Sequence, residues 1–269
     1  MLEKIFVFLF GSIVGSFLNV CIHRMPLEES VVFPASHCPS CKKPLSWYDN
    51  IPFISYIFLL GKCRYCKKPI SPRYILVELL TALVFLLCFN LYGLSFSFFY
   101  YLTFICGLIV GTFVDIKHRI IPDEISIGGI VLGLVFNIIR GLSLKPFSWN
   151  WHPAVYSLSG IIIGGGVIYL TGWIFDLIYF KLLKKPAING ETESMGGGDV
   201  KLLAMIGAFL GWERALMTFF LAPFAGIIFG VVNMIVKKDH TLPYGPFLAL
   251  AALASLFFYG NILNMVICY

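Results

Sequence analysis

Two acidic side chains stand out in an otherwise apolar chain. Met195-Gly196-Gly197-Gly198-Asp199-Val200-Lys201 sets Asp199 on the opening turn of an apolar helix, directly after three glycines. Val114-Asp115-Ile116-Lys117-His118-Arg119-Ile120-Ile121-Pro122-Asp123 sets Asp115 at the closing end of another. Carboxylates in lipid-embedded helices are costly to keep and mark functional sites. Two of them held together cannot both ionise cheaply, so they share a proton. The charged member can then deprotonate a water while the protonated member polarises a peptide carbonyl, which is aspartyl-protease chemistry at a membrane surface. Glycines 196–198, lacking Cβ atoms, let the backbone turn sharply and a neighbour come close. On spacing alone a second reading stands beside this one: Asp199 as a helix cap and Asp115 as a surface charge next to Lys117 and Arg119. Asp123, between Pro122 and the next apolar run, reads as a helix N-cap, with Glu124 favoured by the helix dipole.

Four cysteines form a second constellation. Cys38-Pro39-Ser40-Cys41-Lys42-Lys43-Pro44 is echoed by Cys63-Arg64-Tyr65-Cys66-Lys67-Lys68-Pro69, an internal repeat. Two C-x-x-C knuckles supply four thiolates for tetrahedral zinc, a closed structural set with no open position. The intervening stretch is slightly longer than in the usual zinc ribbon, and redox use of either pair is the competing reading. His37 beside the first knuckle reads as a loop histidine. Cys21, Cys88, Cys106 and Cys268 lie singly in apolar runs and read as small hydrophobes.

The elements that must position these groups follow from composition. The chain of 269 residues is 59% hydrophobic and 13% charged, with a mean hydropathy of +0.87, far too apolar for an ordinary soluble domain. Apolar segments fall at about 5–22, 75–91, 95–114, 125–139, 155–179, 200–210, 215–236 and 247–268, and predict an all-α polytopic membrane protein of about eight transmembrane helices. The first reads as a retained helix, since Asn19 and Cys21 replace a cleavage site. Residues 23–74 form a polar, basic insertion of zinc-ribbon type. Within it, residues 51–60 are apolar but too short to span, and should pack inside the domain or lie on the bilayer. The net charge of +6 is gathered in a few loops rather than spread over a nucleic-acid face. With eight spans, Arg24 to Arg73, Lys117, Arg119, Lys181, Lys184, Lys185, Lys237 and Lys238 fall on one side, against Lys4, Arg140, Lys145 and Arg214 on the other. That alternation makes the insertion cytoplasmic and sets Asp115 and Asp199 at the same membrane face. Asn19, Arg24, Asp49, Arg73 and Glu78 read as rim groups that snorkel or pair. Pro243-Tyr244-Gly245-Pro246 reads as a rigid turn before the last helix.

The residues resemble the type IV prepilin peptidases, aspartyl proteases with a G-x-G-D motif. Gly196 to Ala204 matches that motif, and Asp115 to Asp123 the first aspartate motif. Gly15 to Val20, the doubled C-x-x-C unit, Ser71 to Glu78 and Pro243 to Ala249 extend the match over nearly the whole chain. The resemblance implies a bifunctional enzyme of the bacterial inner membrane. Such an enzyme cuts the basic leader from prepilins or pseudopilins at the cytoplasmic face and N-methylates the new terminus with S-adenosylmethionine. It implies Asp115 and Asp199 as catalytic residues, a methyltransferase role for the cysteine insertion, and a peptidase domain over 75–269. Asn19, Arg73 and Glu78 are the candidates for S-adenosylmethionine, and Cys38, Cys41, Cys63 and Cys66 for zinc. Against this stand a zinc-stabilised transporter with both aspartates as ion ligands, and a membrane scaffold that recruits partners.

Overall fold

In the computed structural model the backbone is described for residues 1–143, 152–183, 195–237 and 243–267. Lys145, Lys184, Lys185, Lys238 and Cys268, and the side chain of Lys237, lie outside the described residues. The helices are α1 (Leu2–Arg24), α2 (Ile54–Phe58), α3 (Arg73–Tyr92), α4 (Phe96–His118), α5 (Asp123–Ser143), α6 (His152–Asp176), α7 (Gly197–Leu210), α8 (Trp212–Lys237) and α9 (Gly245–Ile267). Extended pairing among the described residues is confined to two isolated bridges, His37 with Pro44 and Lys62 with Pro69. Over the described residues, each of the eight apolar segments falls on a helix. Among the described residues, 6 helices are long and apolar enough to cross a membrane. The 14-residue α7 and the described apolar part of α9, Gly245–Gly260, are shorter, and the expected count of about eight is compatible with this. The chain is a multi-pass membrane protein.

It divides into two compact units, Met1–Val110 and Gly111–Tyr269, with the division inside α4. In the first, α1 and α3 run antiparallel at close range. A Cβ at Gly11 would lie 2.7 Å from the Phe85 Cβ, and one at Gly15 would lie 2.7 Å from the Glu78 Cα. Two glycines four residues apart thus let the helix backbones approach, as at small-residue crossings in membranes. Phe6, Phe10, Ile13 and Phe17 remain exposed along α1, the pattern of a surface solvated by lipid rather than water.

The second unit is built around α7. Every residue from Leu202 to Leu210 is buried, with α5, α6 and α8 packed against it. A helix apolar on all sides belongs inside a bundle, and here that position explains its shortness. Gly160 of α6 and Gly207 of α7 meet backbone to backbone, so that a Cβ on either would collide with the other's carbonyl. One turn on, Gly164 lies against the Leu203 carbonyl. Asn137 Nδ2 at 3.1 Å and Ser157 Oγ at 2.8 Å both donate to the Ala208 carbonyl, tying α5 and α6 to the far end of α7. Gly211, at φ +81°, ends α7 and returns its N–H to Gly207 O at 2.8 Å, after which α8 begins.

Candidate active site

Asp115 sits in the last turn of α4. The helix stops three residues later because Arg119 turns left-handed at φ +57° while its N–H bonds the Asp115 carbonyl at 2.9 Å, and Pro122 cannot continue a helix. The Asp115 carboxylate is buried, 6% exposed. Its Oδ2 accepts the Gly245 N–H at 2.8 Å. Gly245 is the first residue of α9, so this N–H is one of the donors a helix start leaves without an internal partner. Asp115 therefore caps α9 from another helix, where the dipole favours an anion. No larger residue fits at 245: a Cβ there would stand 2.7 Å from Asp115 Oδ2.

Asp199 occupies the first turn of α7, two residues past the opening Gly197. Its N–H bonds Gly196 O at 3.1 Å, and Gly196 holds the extended conformation of an N-cap. The glycine run serves a close approach, because a Cβ at Gly198 would press on the Ile121 Cβ at 3.3 Å. Ile121 belongs to the turn after Asp115, so the two acidic motifs pack directly on each other. Asp115 and Asp199 come within electrostatic reach of one another, and Tyr244 within reach of Asp199. Burial, and after it the Asp199 carboxylate, push the Tyr244 phenol up to about 12, so it stays a proton donor at neutral pH.

Two surrounding groups differ from the sequence reading. Asp123 was expected as an N-cap; it is instead the first residue of α5, and its Oδ1 takes the Lys201 ammonium at 2.6 Å. The pair bridges the start of α5 to the first turn of α7, two residues beyond Asp199. Gly245 was read only as part of a rigid turn, and its role as the donor to Asp115 was missed. The sole signal was a glycine between two prolines, since a backbone N–H leaves no side-chain trace.

In the N-terminal unit the four predicted metal ligands converge. The Sγ atoms of Cys38, Cys41, Cys63 and Cys66 all lie within 4.8 Å of one another, with Cys38 and Cys66 at 3.9 Å. A tetrahedron of Zn–S bonds near 2.3 Å has edges of about 3.8 Å, so the set fits zinc. The sequence repeat is also a repeat of geometry. Cys38 N–H bonds Lys43 O at 3.0 Å and Lys42 N–H bonds Cys38 O at 2.9 Å, while Cys63 with Lys68 and Lys67 with Cys63 repeat the pattern at 2.9 and 3.0 Å. Lys42 and Lys67 both turn at φ +58°. The Cys63 thiol is pulled down to about 6, chiefly by the Cys66 backbone N–H, while the neighbouring Cys66 thiol is pushed up, so Cys63 gives up its proton first. Between the knuckles, Arg64 grips Asp49 Oδ1 through Nε at 2.9 Å and a terminal nitrogen at 2.8 Å.

Asn19 and Glu78 lie at the α1–α3 crossing, and Arg73 opens α3 one residue before the Tyr74 that Asn19 bonds. Asn19 Nδ2 donates to Tyr74 O at 2.9 Å and to Gly15 O at 3.4 Å, and Glu78 lies against Gly15. Asn19 Oδ1 and Arg73 Nε are buried without a hydrogen-bond partner. Glu78 Oε2 accepts the Phe53 N–H at 3.1 Å. Arg24, expected at the rim, is buried, and it donates to Ser30 O at 3.0 Å and Ala35 O at 3.4 Å.

Residues 9–92 match a family model described as the bacterial peptidase A24 N-terminal domain, and residues 102–231 match the type IV leader peptidase family. The chain belongs to the type IV leader peptidase family. Curated relatives called prepilin leader peptidase/N-methyltransferase include one from Aeromonas hydrophila, 34% identical over 272 residues, covering 91% of this chain and 87% of the relative. One from Myxococcus xanthus is 33% identical over 234 residues, covering 87% of this chain and 64% of the relative. One from Legionella pneumophila is 29% identical over 287 residues, covering 97% and 93%. No solved structure matches. Within this leader peptidase chain, the first matched range holds the cysteine cluster with Asn19, Arg73 and Glu78. The second holds both aspartates, and Tyr244 and Gly245 lie beyond it.

Proposed function

We propose that this chain cleaves the basic leader of prepilins or pseudopilins and N-methylates the amino terminus so exposed. The observation that carries the peptidase reading is the packing of Ile121 on Gly198, which sets the segments bearing Asp115 and Asp199 against each other. Two adjacent carboxylates share one proton. The ionised one takes a proton from water as that water attacks the scissile carbonyl; the protonated one donates to the carbonyl oxygen. The Gly245 N–H holds one oxygen of Asp115, and this exchange would run through the other. A prepilin keeps its apolar helix in the bilayer with the leader outside, so its scissile bond lies at the membrane rim. The charge alternation supports a bacterial inner-membrane location with both activities facing the cytoplasm.

For methyl transfer, S-adenosylmethionine supplies an electrophilic methyl group to the new amine. The orphaned Asn19 Oδ1 and Arg73 Nε, with the Glu78 carboxylate, offer groups suited to its polar end: an amide oxygen or carboxylate for its ammonium, a guanidinium for its carboxylate. The cysteine insertion over 23–74, organised by zinc on Cys38, Cys41, Cys63 and Cys66, belongs to this activity, and 75–269 to peptide cleavage. Incubating purified protein with a prepilin, with and without S-adenosylmethionine, tests both. Mass analysis should show a shortened product in each case, heavier by one methyl only with the cofactor. An uncut substrate overturns the peptidase reading, and a cut but never methylated product overturns the transferase reading.

A further inference from the structure

The apolar stretch between the two cysteine knuckles lies beside α1 at a depth its place in the chain does not suggest. Phe53 N–H reaches the Glu78 carboxylate at 3.1 Å, and Glu78 lies against Gly15 of α1. Gly15 stands nine residues before the Arg24 end of α1, about 14 Å along the axis at 1.5 Å per residue. The Phe53 ring stacks on Phe8 at 5.8 Å, and Phe8 is about 24 Å from that same end. A hydrocarbon layer is about 30 Å thick. We propose that residues 51–60 form a re-entrant segment that enters the bilayer beside α1 and α3, with lipid acyl chains covering its outer face.

Three further observations support this, all within the N-terminal unit. The outward side chains are apolar: Ile54 is 50%, Ile57 62%, Phe58 83% and Leu60 82% exposed. Residues 51–61 carry no charge; the adjacent Asp49 is tied to Arg64. Most of its backbone N–H groups are also paired within the segment, which lowers the cost of placing it in lipid. Ile54 N–H bonds Pro52 O, Ser55 bonds Ile51, Ile57 bonds Phe53, Leu59 bonds Ser55, Leu60 bonds Ile57 and Gly61 bonds Tyr56, at 2.6 to 3.2 Å. Phe53 starts the turn at φ +60°, a strained conformation for a bulky residue. Its N–H is the one Glu78 takes. The Glu78 carboxylate therefore ties the segment to α3, and the segment staples both knuckles to the membrane.

The proposal rests on the membrane reading of α1, and the test separates the two. The photoreactive residue p-benzoylphenylalanine is placed singly at Phe58, at Ile13 and at Lys67 of the full-length protein in phosphatidylethanolamine–phosphatidylglycerol nanodiscs, and lipid adducts are scored by mass after irradiation. Phe58 should form adducts as Ile13 does, and Lys67, on the adjoining knuckle, should not. Adducts at Ile13 but none at Phe58 overturn the proposal alone; none at either overturns the membrane reading with it. Glu78→Leu should lower the Phe58 yield severalfold, which a role confined to cofactor contact would not do. An unchanged yield removes Glu78 from the proposal.

Discussion

At the residue scale, Asp115 is the better fixed of the two carboxylates. Asp115→Asn and Asp199→Asn preserve shape but remove the shared proton, so each should lower leader cleavage by about 100-fold or more while the protein still inserts. A cleavage assay on purified variants checks this, and wild-type processing by either would exclude the pair. Gly245→Ala is a sharper probe, since it touches neither carboxylate chemically. The new Cβ would meet Asp115 Oδ2 at 2.7 Å and Cγ at 3.2 Å, forcing Asp115 to shift. Displacements near 1 Å cost about 100-fold, so kcat should fall by that order with methylation of a pre-cleaved pilin unaffected. Both aspartates were legible in the sequence because an acid in an apolar run is rare and costly. Their partner was not, because what holds Asp115 is main chain. Asp123 was misread for a related reason: Pro-Asp before a helix signals a cap, whereas the Lys201 that claims it lies far along the chain.

At the scale of elements, the α6–α7 crossing sets where Asp199 can be. Gly160 and Gly207 touch through their backbones, and Gly207→Leu has no volume to occupy. Overpacking of this kind costs about 1–3 kcal/mol or more, and a thermal-unfolding midpoint in detergent should fall accordingly, with cleavage lost alongside. The cysteine insertion offers an independent check. Cys63→Ser removes one of four thiolates and should abolish stoichiometric zinc in metal analysis of the purified protein. Residues 23–74 should then become sensitive to limited proteolysis while Asp115 and Asp199 remain competent. The doubled C-x-x-C was plain in the sequence, because few other arrangements require that spacing twice. The central place of α7 was not. Its apolar run was counted as one more transmembrane helix, and periodicity cannot tell a helix that faces lipid from one wrapped by its neighbours.

For the whole molecule, hydropathy alone predicted helices wherever the chain is apolar, and the structure has them there. What hydropathy could not rank is which helices face lipid and which face protein, since both environments reward the same side chains. Asn19 shows the limit: read as a rim residue from its place near a helix end, it is 2% exposed and bonded across to α3. The burial of α7 has a kinetic corollary. Amides from Leu202 to Leu210 should be the slowest in the protein to take up deuterium, whereas those at Gly197 and Gly198 should label early. Asp199 would then ride on the loose tip of a rigid post. An incoming polypeptide could settle against that tip without any rearrangement of the bundle beneath it.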